Sequence, residues 1–229
     1  MKLLSRFFIL GALVGASSFA LGQTTVSVKG GVSFSNVIVK NEDGIKGETQ
    51  SNPGIRLGVA VSIPLPFNLY LQPGIGFVEK GFKQDKGAYI NAANFKVDVS
   101  YIELPVNLLY KPKIGNGRLL IGTGAYLAYG TGGSWHSDNN IVIGDIVTEN
   151  RGKAIFKNDF MDGEFGNYLY GKPLDYGANF LVGYEFFKRL SVQFDAQLGL
   201  ANLQPKFGDV KRNGSLKNRG VGFSIGYVL

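Results

Sequence analysis

The chain has 229 residues, no cysteine, 33 glycines and a formal charge of +7, with 18 % of its residues charged. Without cysteine there is no disulfide framework, no thiolate chemistry and no lipid-anchoring lipobox. The basic residues are scattered rather than gathered into a nucleic-acid-binding surface, so no nucleic acid is expected as a partner.

The first residues read as a targeting segment. Lys2 and Arg6 form a basic start, Phe7 to Val14 an apolar stretch, and Ala20-Leu21-Gly22 a small-x-small cleavage site. This predicts a signal peptide over residues 1–22 and a single domain over residues 23–229. The apolar stretch is too short for a membrane-spanning helix, which needs ~20 residues.

Eight segments then alternate apolar with small or polar residues. The first runs near Val26 to Asn36, with Val26, Val28, Val32 and Phe34 on one face and Ser27, Lys29, Gly31 and Ser33 on the other. The second, Ile55 to Ile63, places Ile or Val or Leu at each odd position and Gly, Ala, Ser or Arg56 between them. The third starts at Leu69. The fourth places Ile102, Leu104, Val106, Leu108 and Tyr110 opposite Glu103, Pro105 and Asn107. Val97 and Val99 fall in the opposite phase, which predicts a β-bulge near Ser100. The fifth covers Leu119 to Tyr129, the sixth Tyr176 to Phe186, the seventh Leu190 to Leu200, and the eighth runs from Gly220 to Leu229. Alternation at this period places one residue set on each face of a strand.

The predicted fold is all-β: an eight-stranded antiparallel transmembrane β-barrel with long extracellular loops and short periplasmic turns. The expected short turns are Pro64 to Asn68, Pro112 to Gly117 and Phe187 to Arg189. The longest connection, the third long loop, is expected over residues 131–174. A soluble lipocalin-type barrel, with the apolar face inside, is the competing reading. Against it, the other face carries mostly Gly, Ser, Ala and Asn, which suit the crowded interior of an eight-stranded barrel better than a solvated surface.

The chain resembles the PorT-type outer-membrane β-barrel proteins of Gram-negative envelopes. The resemblance lies in Val28-Lys29-Gly30-Gly31-Val32-Ser33, in Tyr101-Ile102-Glu103-Leu104-Pro105-Val106 and in Gly220 to Tyr227. It implies an eight-stranded barrel integral to the cell outer membrane. It also raises a role as accessory subunit of a protein-secretion system, although no motif here carries that role. The end of the chain departs from the usual assembly signal in closing on Leu229, with Tyr227 supplying the aromatic. The barrel-assembly machinery is the partner expected during biogenesis.

Candidate site residues fall in two groups. Lys29, Arg56, Glu103, Glu185 and Asp195 face the expected lumen, with Lys80 near the mouth, and buried charges of this kind must pair. Arg56 is expected to bond at least one of Glu103, Glu185 and Asp195. Trp135, His136, Phe160, Tyr168 and Tyr170 lie in the expected long loop, which should be partly folded, and are the candidates for binding a protein or glycan partner; the competing reading is a cap folded over the barrel mouth that buries those same rings. His136, the only histidine, stands among Ser134, Ser137 and Asp138. That composition suits acyl transfer, as a lipid A-modifying hydrolase or transferase would need. Asp159, Asp162 and Glu164 lack the spacing of a calcium loop. The reading favoured by the residues is a non-enzymatic barrel with no catalytic, cofactor or metal site, in contact with outer-membrane lipid and lipopolysaccharide.

Overall fold

A computed structural model describes residues 24–86, 93–140, 142–143, 146–147, 149–187, 189–210 and 213–229. The expected signal peptide lies outside them. In chain order the strands are β1 (Thr25–Lys40), β2 (Gln50–Pro64), β3 (Leu69–Lys86), β4 (Ala93–Tyr110), β5 (Lys113–Ile114), β6 (Gly117–His136), β7 (Val142–Ile143), β8 (Ile146–Val147), β9 (Arg151–Phe156), β10 (Tyr168–Gly171), β11 (Leu174–Phe186), β12 (Leu190–Gly199) and β13 (Ser215–Val228). Among the described residues no helix is long and apolar enough to cross a membrane, which says nothing about crossing by strands.

Eight strands pair in the order β6-β11-β12-β13-β1-β2-β3-β4, and β4 pairs with β6 to close the ring. Every pairing in the ring is antiparallel. The start of β1 and the end of β13 meet at the end of the ring that carries the short turns, where the Leu229 amide donates to the Val26 carbonyl. One such turn, Pro66–Asn68, is a single 3-10 turn entered through a proline, with Phe67 at φ 63.

The faces decide what surrounds this ring. Large apolar side chains on all eight strands point outward: Phe34, Val59, Ile75, Leu104, Leu127, Phe180, Phe194 and Phe223 are each more than 40 % exposed. The alternate residues, among them Ser33, Ser62, Gln72, Asn107, Asn179, Gln193 and Ser224, are buried. A lipocalin-type barrel has the reverse pattern. A continuous apolar belt of this extent is far larger than the few hundred Å² a soluble monomer exposes.

The interior is narrow. A Cβ added at Gly31 would lie 2.0 Å from the Phe223 carbonyl oxygen, and one at Gly124 2.1 Å from that of Val106. Glycine at these inward positions lets the strands close into a small ring.

Above the belt the pattern inverts. Phe95, Val97, Val99 and Tyr101 of β4 are buried on the same inward face as Glu103. The phase change at Val97 and Val99 is therefore a change in what the interior contains, and β4 does not flip. The irregularity falls at the expected level but on the neighbouring strand. Ser100 faces Gly132 and Tyr101 faces Gly130, so Thr131 of β6 is the extra residue. Gly132 sits at φ 135, and across this bulge β6 changes face, turning Trp135 inward.

The upper wall is built from further segments. β9 pairs with β6 over Gly133 to His136, and β10 pairs parallel with β9. The Lys172 amide donates to Leu203, and the Leu203 amide to Leu216 of β13. The expected loop over residues 131–174 is thus largely structured: it opens with the end of β6 and contains β9 and β10.

Candidate functional site

From the short-turn end upward, the lumen is filled in layers. The floor is apolar, with Leu109, Leu120 and Leu181 buried together against Tyr70. Beside it Lys111 Nζ lies 3.3 Å from Glu185 Oε2 and 4.8 Å from the centre of the Tyr70 ring, and Arg118 donates to the Tyr70 hydroxyl at 2.7 Å.

The next layer holds two cations. Arg56 Nη1 pairs with Asp195 Oδ2. Gly222 makes room for that pair, because a Cβ there would lie 2.2 Å from Arg56 Nη1. Lys29 Nζ donates to two neutral acceptors, Gln72 Oε1 at 2.8 Å and Gln193 Oε1 at 3.1 Å.

Higher still, Lys80 serves two carboxylates, Glu103 Oε2 at 3.4 Å and Asp175 Oδ2 at 3.3 Å. Its ammonium also lies over the rings of Tyr126 and Tyr101, at 4.5 and 5.1 Å. Asp175 Oδ2 accepts further bonds from Asn218 Nδ2 at 2.9 Å and the Tyr126 hydroxyl at 3.3 Å. Gln197 Nε2 donates to Glu103 Oε1 at 2.7 Å. Low dielectric makes such a network costly if half made and strong when complete.

A lid of aromatic rings closes the top. Phe95 stacks on Trp135 at 5.8 Å, Tyr168 meets Phe95 at 5.2 Å, and Phe156 sits edge-on to Tyr101 and Tyr170 at 5.3 and 5.5 Å. Trp135 Nε1 donates to the Gly166 carbonyl. The Tyr170 hydroxyl donates to Asn218 Oδ1 at 2.6 Å, tying the lid to the layer below. Burial pushes that hydroxyl well above its ordinary titration range, so it stays a neutral donor.

The expected sites are therefore redistributed. Of the five lumen charges, Arg56 and Asp195 come together. Glu103 and Glu185 instead take Lys80 and Lys111, and Lys29 meets amides. Lys80 lies within the network, not at an open mouth. Asp175 and Lys111 were absent from the expected set. Their phase could have found them, since Asp175 shares the face of Asn179 and Glu185, and Lys111 that of Glu103 and Asn107. Of the loop candidates, Trp135 and Tyr170 are buried and Tyr168 is half-buried among the same rings, so these three pack in the lid. His136 is exposed at the end of β6. Two of its polar neighbours are engaged elsewhere: the Ser137 hydroxyl bonds to the Asn139 carbonyl, and Asp138 accepts from Asn94 at 2.5 Å.

Phe160 remains exposed, on a structured surface. Its amide donates to Lys206 O at 2.8 Å, and the Lys206 amide to Asn158 O at 2.9 Å, so two connections are joined backbone to backbone. Asp159 accepts from the amides of Met161 at 2.9 Å and Gly208 at 3.1 Å. These bonds hold its carboxyl below the usual range, the Met161 amide contributing most. The joined connections display Phe160 and Phe207, 5.9 Å apart, with Met161 and Val210 also exposed. Among the described residues no group of three or more metal-ligating side chains comes together.

The sequence pattern of the outer membrane protein beta-barrel domain matches residues 16–204, and the chain belongs to that family. It is an integral outer-membrane β-barrel protein. No curated protein matches it in sequence. Similar solved structures include Ail, the attachment invasion locus protein of Yersinia pestis, in complex with the heparin analogue sucrose octasulfate (12 % identity, covering 90 % of this chain and 99 % of that one, TM-score 0.40). They also include Neisserial surface protein A (9 % identity, 90 % and 98 %, TM-score 0.42) and a major outer membrane protein from Thermus thermophilus (12 % identity, 90 % and 99 %, TM-score 0.42). At these values the likeness says nothing about partners or activity.

Proposed function

We propose that the chain is a non-enzymatic surface-interaction barrel, set with its capped end and long connections outside the cell and its short turns in the periplasm. The observation that carries this reading is the filled lumen. It is closed below by Leu109, Leu120 and Leu181, crossed by the Lys80 network, and roofed by the Trp135–Tyr170 rings. A barrel closed in this way offers its outer surface for work, not a passage. The Tyr101–Val106 segment that resembles PorT-type barrels contributes Glu103 and Pro105 to the lumen lining, so it speaks for scaffold and not for secretion.

The working surface proposed is the pair of joined connections bearing Phe160, Met161, Phe207 and Val210, and the partner proposed is a protein with an apolar surface. Exposed rings on a rigid base lose little conformational entropy on binding. Two measurements test the reading. In planar bilayers the purified barrel should give no conductance steps, and stable steps would overturn the closed lumen. In intact cells a photo-crosslinker at Met161 should yield a discrete protein adduct, absent with the crosslinker at buried Leu203 and lost on joint Phe160→Ser and Phe207→Ser substitution. An adduct that survives those substitutions, or none at Met161, would overturn the surface.

A further inference from the structure

The short-turn end of the ring carries three apolar tips. Phe67, between β2 and β3, is 86 % exposed; Phe187, between β11 and β12, is 78 % exposed; Ile114, between β4 and β6, is 52 % exposed. We propose that this end is a second docking surface, for a periplasmic protein whose contact face is apolar and acidic. The proposal adopts the orientation given above.

The backbone shows that the position of these rings matters. Phe67 and Asn68 are both left-handed, at φ 63 and 61, and Phe187 is left-handed at φ 49. Two consecutive left-handed residues form the kind of turn that Asn-Gly ordinarily fills. Phe187 lies in a four-residue turn closed by the Arg189 amide on the Phe186 carbonyl. A bulky side chain in this region is strained, and each ring also faces water. Strain of this kind concentrates where a site uses it. Asparagine at either tip would remove both costs.

Lipid does not require the tips. Tyr110, Phe186 and Tyr227 already supply exposed rings to the lower edge of the belt from strand positions, with no left-handed residue among them. Leu69 pairs with Tyr110, and Leu190 with Phe186, so Phe67 and Phe187 both lie beyond that edge.

Spacing and charge describe the partner. Each tip is two strands from the next in the ring, about 10 Å at ~4.8 Å per strand. Together they span about 20 Å of rim, a width that one protein surface covers. Lys113 and Arg189 are exposed beside them, and Arg118 is half-buried on the Tyr70 hydroxyl. Glu185 is buried against Lys111, and among the described residues no exposed Asp or Glu stands at this end. Apolar anchors in a basic field select an apolar, acidic face.

In phospholipid vesicles the pair Phe67→Asn and Phe187→Asn should leave the urea unfolding midpoint unchanged or raised. A lowered midpoint would show that lipid holds the rings, and would overturn the proposal. In cells, a photo-crosslinker at exposed Asn116, in the Ile114 turn, should give a discrete protein adduct. Per assembled barrel, scored by heat-modifiable migration, that adduct should fall at least fivefold with the paired Asn substitutions and with Lys113→Glu and Arg189→Glu together. Lys113→Glu alone serves if its pair does not assemble. No adduct in the wild type, or one unchanged by either set, would overturn the surface. Orientation is read separately. The chain has no cysteine, so Asn116→Cys should react with a membrane-impermeant maleimide only after the outer membrane is permeabilised. Labelling of intact cells would overturn the proposed orientation together with this surface, whereas a shielded cysteine without an adduct overturns this surface alone.

Discussion

Lys80 is the residue on which the lumen network depends most. Its side chain is 4 % exposed, and the two carboxylates it serves, Glu103 and Asp175, are 6 % and 0 % exposed. Lys80→Met keeps the unbranched shape and removes the charge. Two buried carboxylates are then left with Gln197, Asn218 and Tyr126 as hydrogen-bond donors and no cation within the layer. Removing one partner of a buried ion pair costs about 3–5 kcal/mol, and here one cation is removed from two anions, so the upper part of that range is expected. Asp175→Asn acts differently. It leaves Lys80 paired with Glu103 at 3.4 Å and keeps an amide oxygen in reach of Asn218 and Tyr126. Its cost should be that of weakening hydrogen bonds to a charged group, about 1.5–3 kcal/mol.

The two effects should also couple. With Asp175 already neutral, losing Lys80 strands one carboxylate instead of two. Lys80→Met should therefore cost less in the Asp175→Asn background, by about 0.5–3 kcal/mol, the usual range for residues in one network. Equilibrium unfolding from phospholipid bilayers in guanidinium measures all four corners of the cycle. The single tryptophan, Trp135, is 5 % exposed within the lid directly above and reports the transition by its emission. If Asp175→Asn costs as much as Lys80→Met and the double variant is additive, Lys80 does not neutralise both carboxylates.

The lipid face predicts that Val59→Arg and Phe194→Arg, outward and near the middle of their belts, each destabilise the barrel by about 2–4 kcal/mol; assembly and unfolding midpoints equal to wild type would reverse the face assignment. In the lumen, Gly222→Ala should place a methyl group against the Arg56 guanidinium and cost about 1–3 kcal/mol by overpacking, and Arg56→Ala should then cost less in that background than in wild type, as urea midpoints would show. At the joined connections, the Asp159 carboxyl titrates below the usual range because the Met161 and Gly208 amides bond to its charged form. Its contribution is present above the ordinary aspartate value and is lost as pH falls through the lowered folded value. The Gly208 amide resonance should therefore shift with a midpoint below ~3.9, the value of an unperturbed aspartate; a midpoint at or above it would show that those bonds do not form in solution.

The ring strands were legible in the sequence because each of them solves a simple problem, with lipid on one side and a crowded polar interior on the other. A one-residue error would put Arg56 or Glu103 into lipid, so the faces are strongly specified. Partners inside the lumen were less legible. Asp195 is 139 positions from Arg56, and Glu103 and Lys80 come from adjacent strands, but which carboxylate meets which cation depends on stagger around the ring. Asp175 was missed because it sits one residue before the apolar alternation of its strand becomes recognisable. The loop aromatics left two readings open, partner anchors or a cap over the barrel mouth, for a different reason. Trp135, Tyr168 and Tyr170 look like exposed anchors in a polar connection, yet water surrounds that part of the protein, so rings there gain most by turning inward. Of the candidates, Phe160, held at the junction of two connections, and His136 keep the exposure expected of them.

The level at which polarity inverts also measures the membrane. On β4 the outward apolar run extends from Ile102 to Tyr110, and Tyr101 just above it is fully buried. At ~3.3 Å per residue that run spans about 26 Å along the strand, or about 20 Å of height at a tilt of ~40°. On β11 the run from Leu174 to Phe186 is longer, about 40 Å along the strand and about 30 Å in height by the same conversion. The two bracket the ~25 Å apolar band of outer-membrane barrels. β3, β4 and β6 therefore continue well beyond the lipid, and the segments they carry there form a second core with the opposite polarity, built on Phe95, Val97, Trp135, Tyr170 and Leu203. The chain devotes much of its length to a capped platform beyond the apolar belt, and that platform fixes Phe160 and Phe207 on its surface, the surface proposed for the partner.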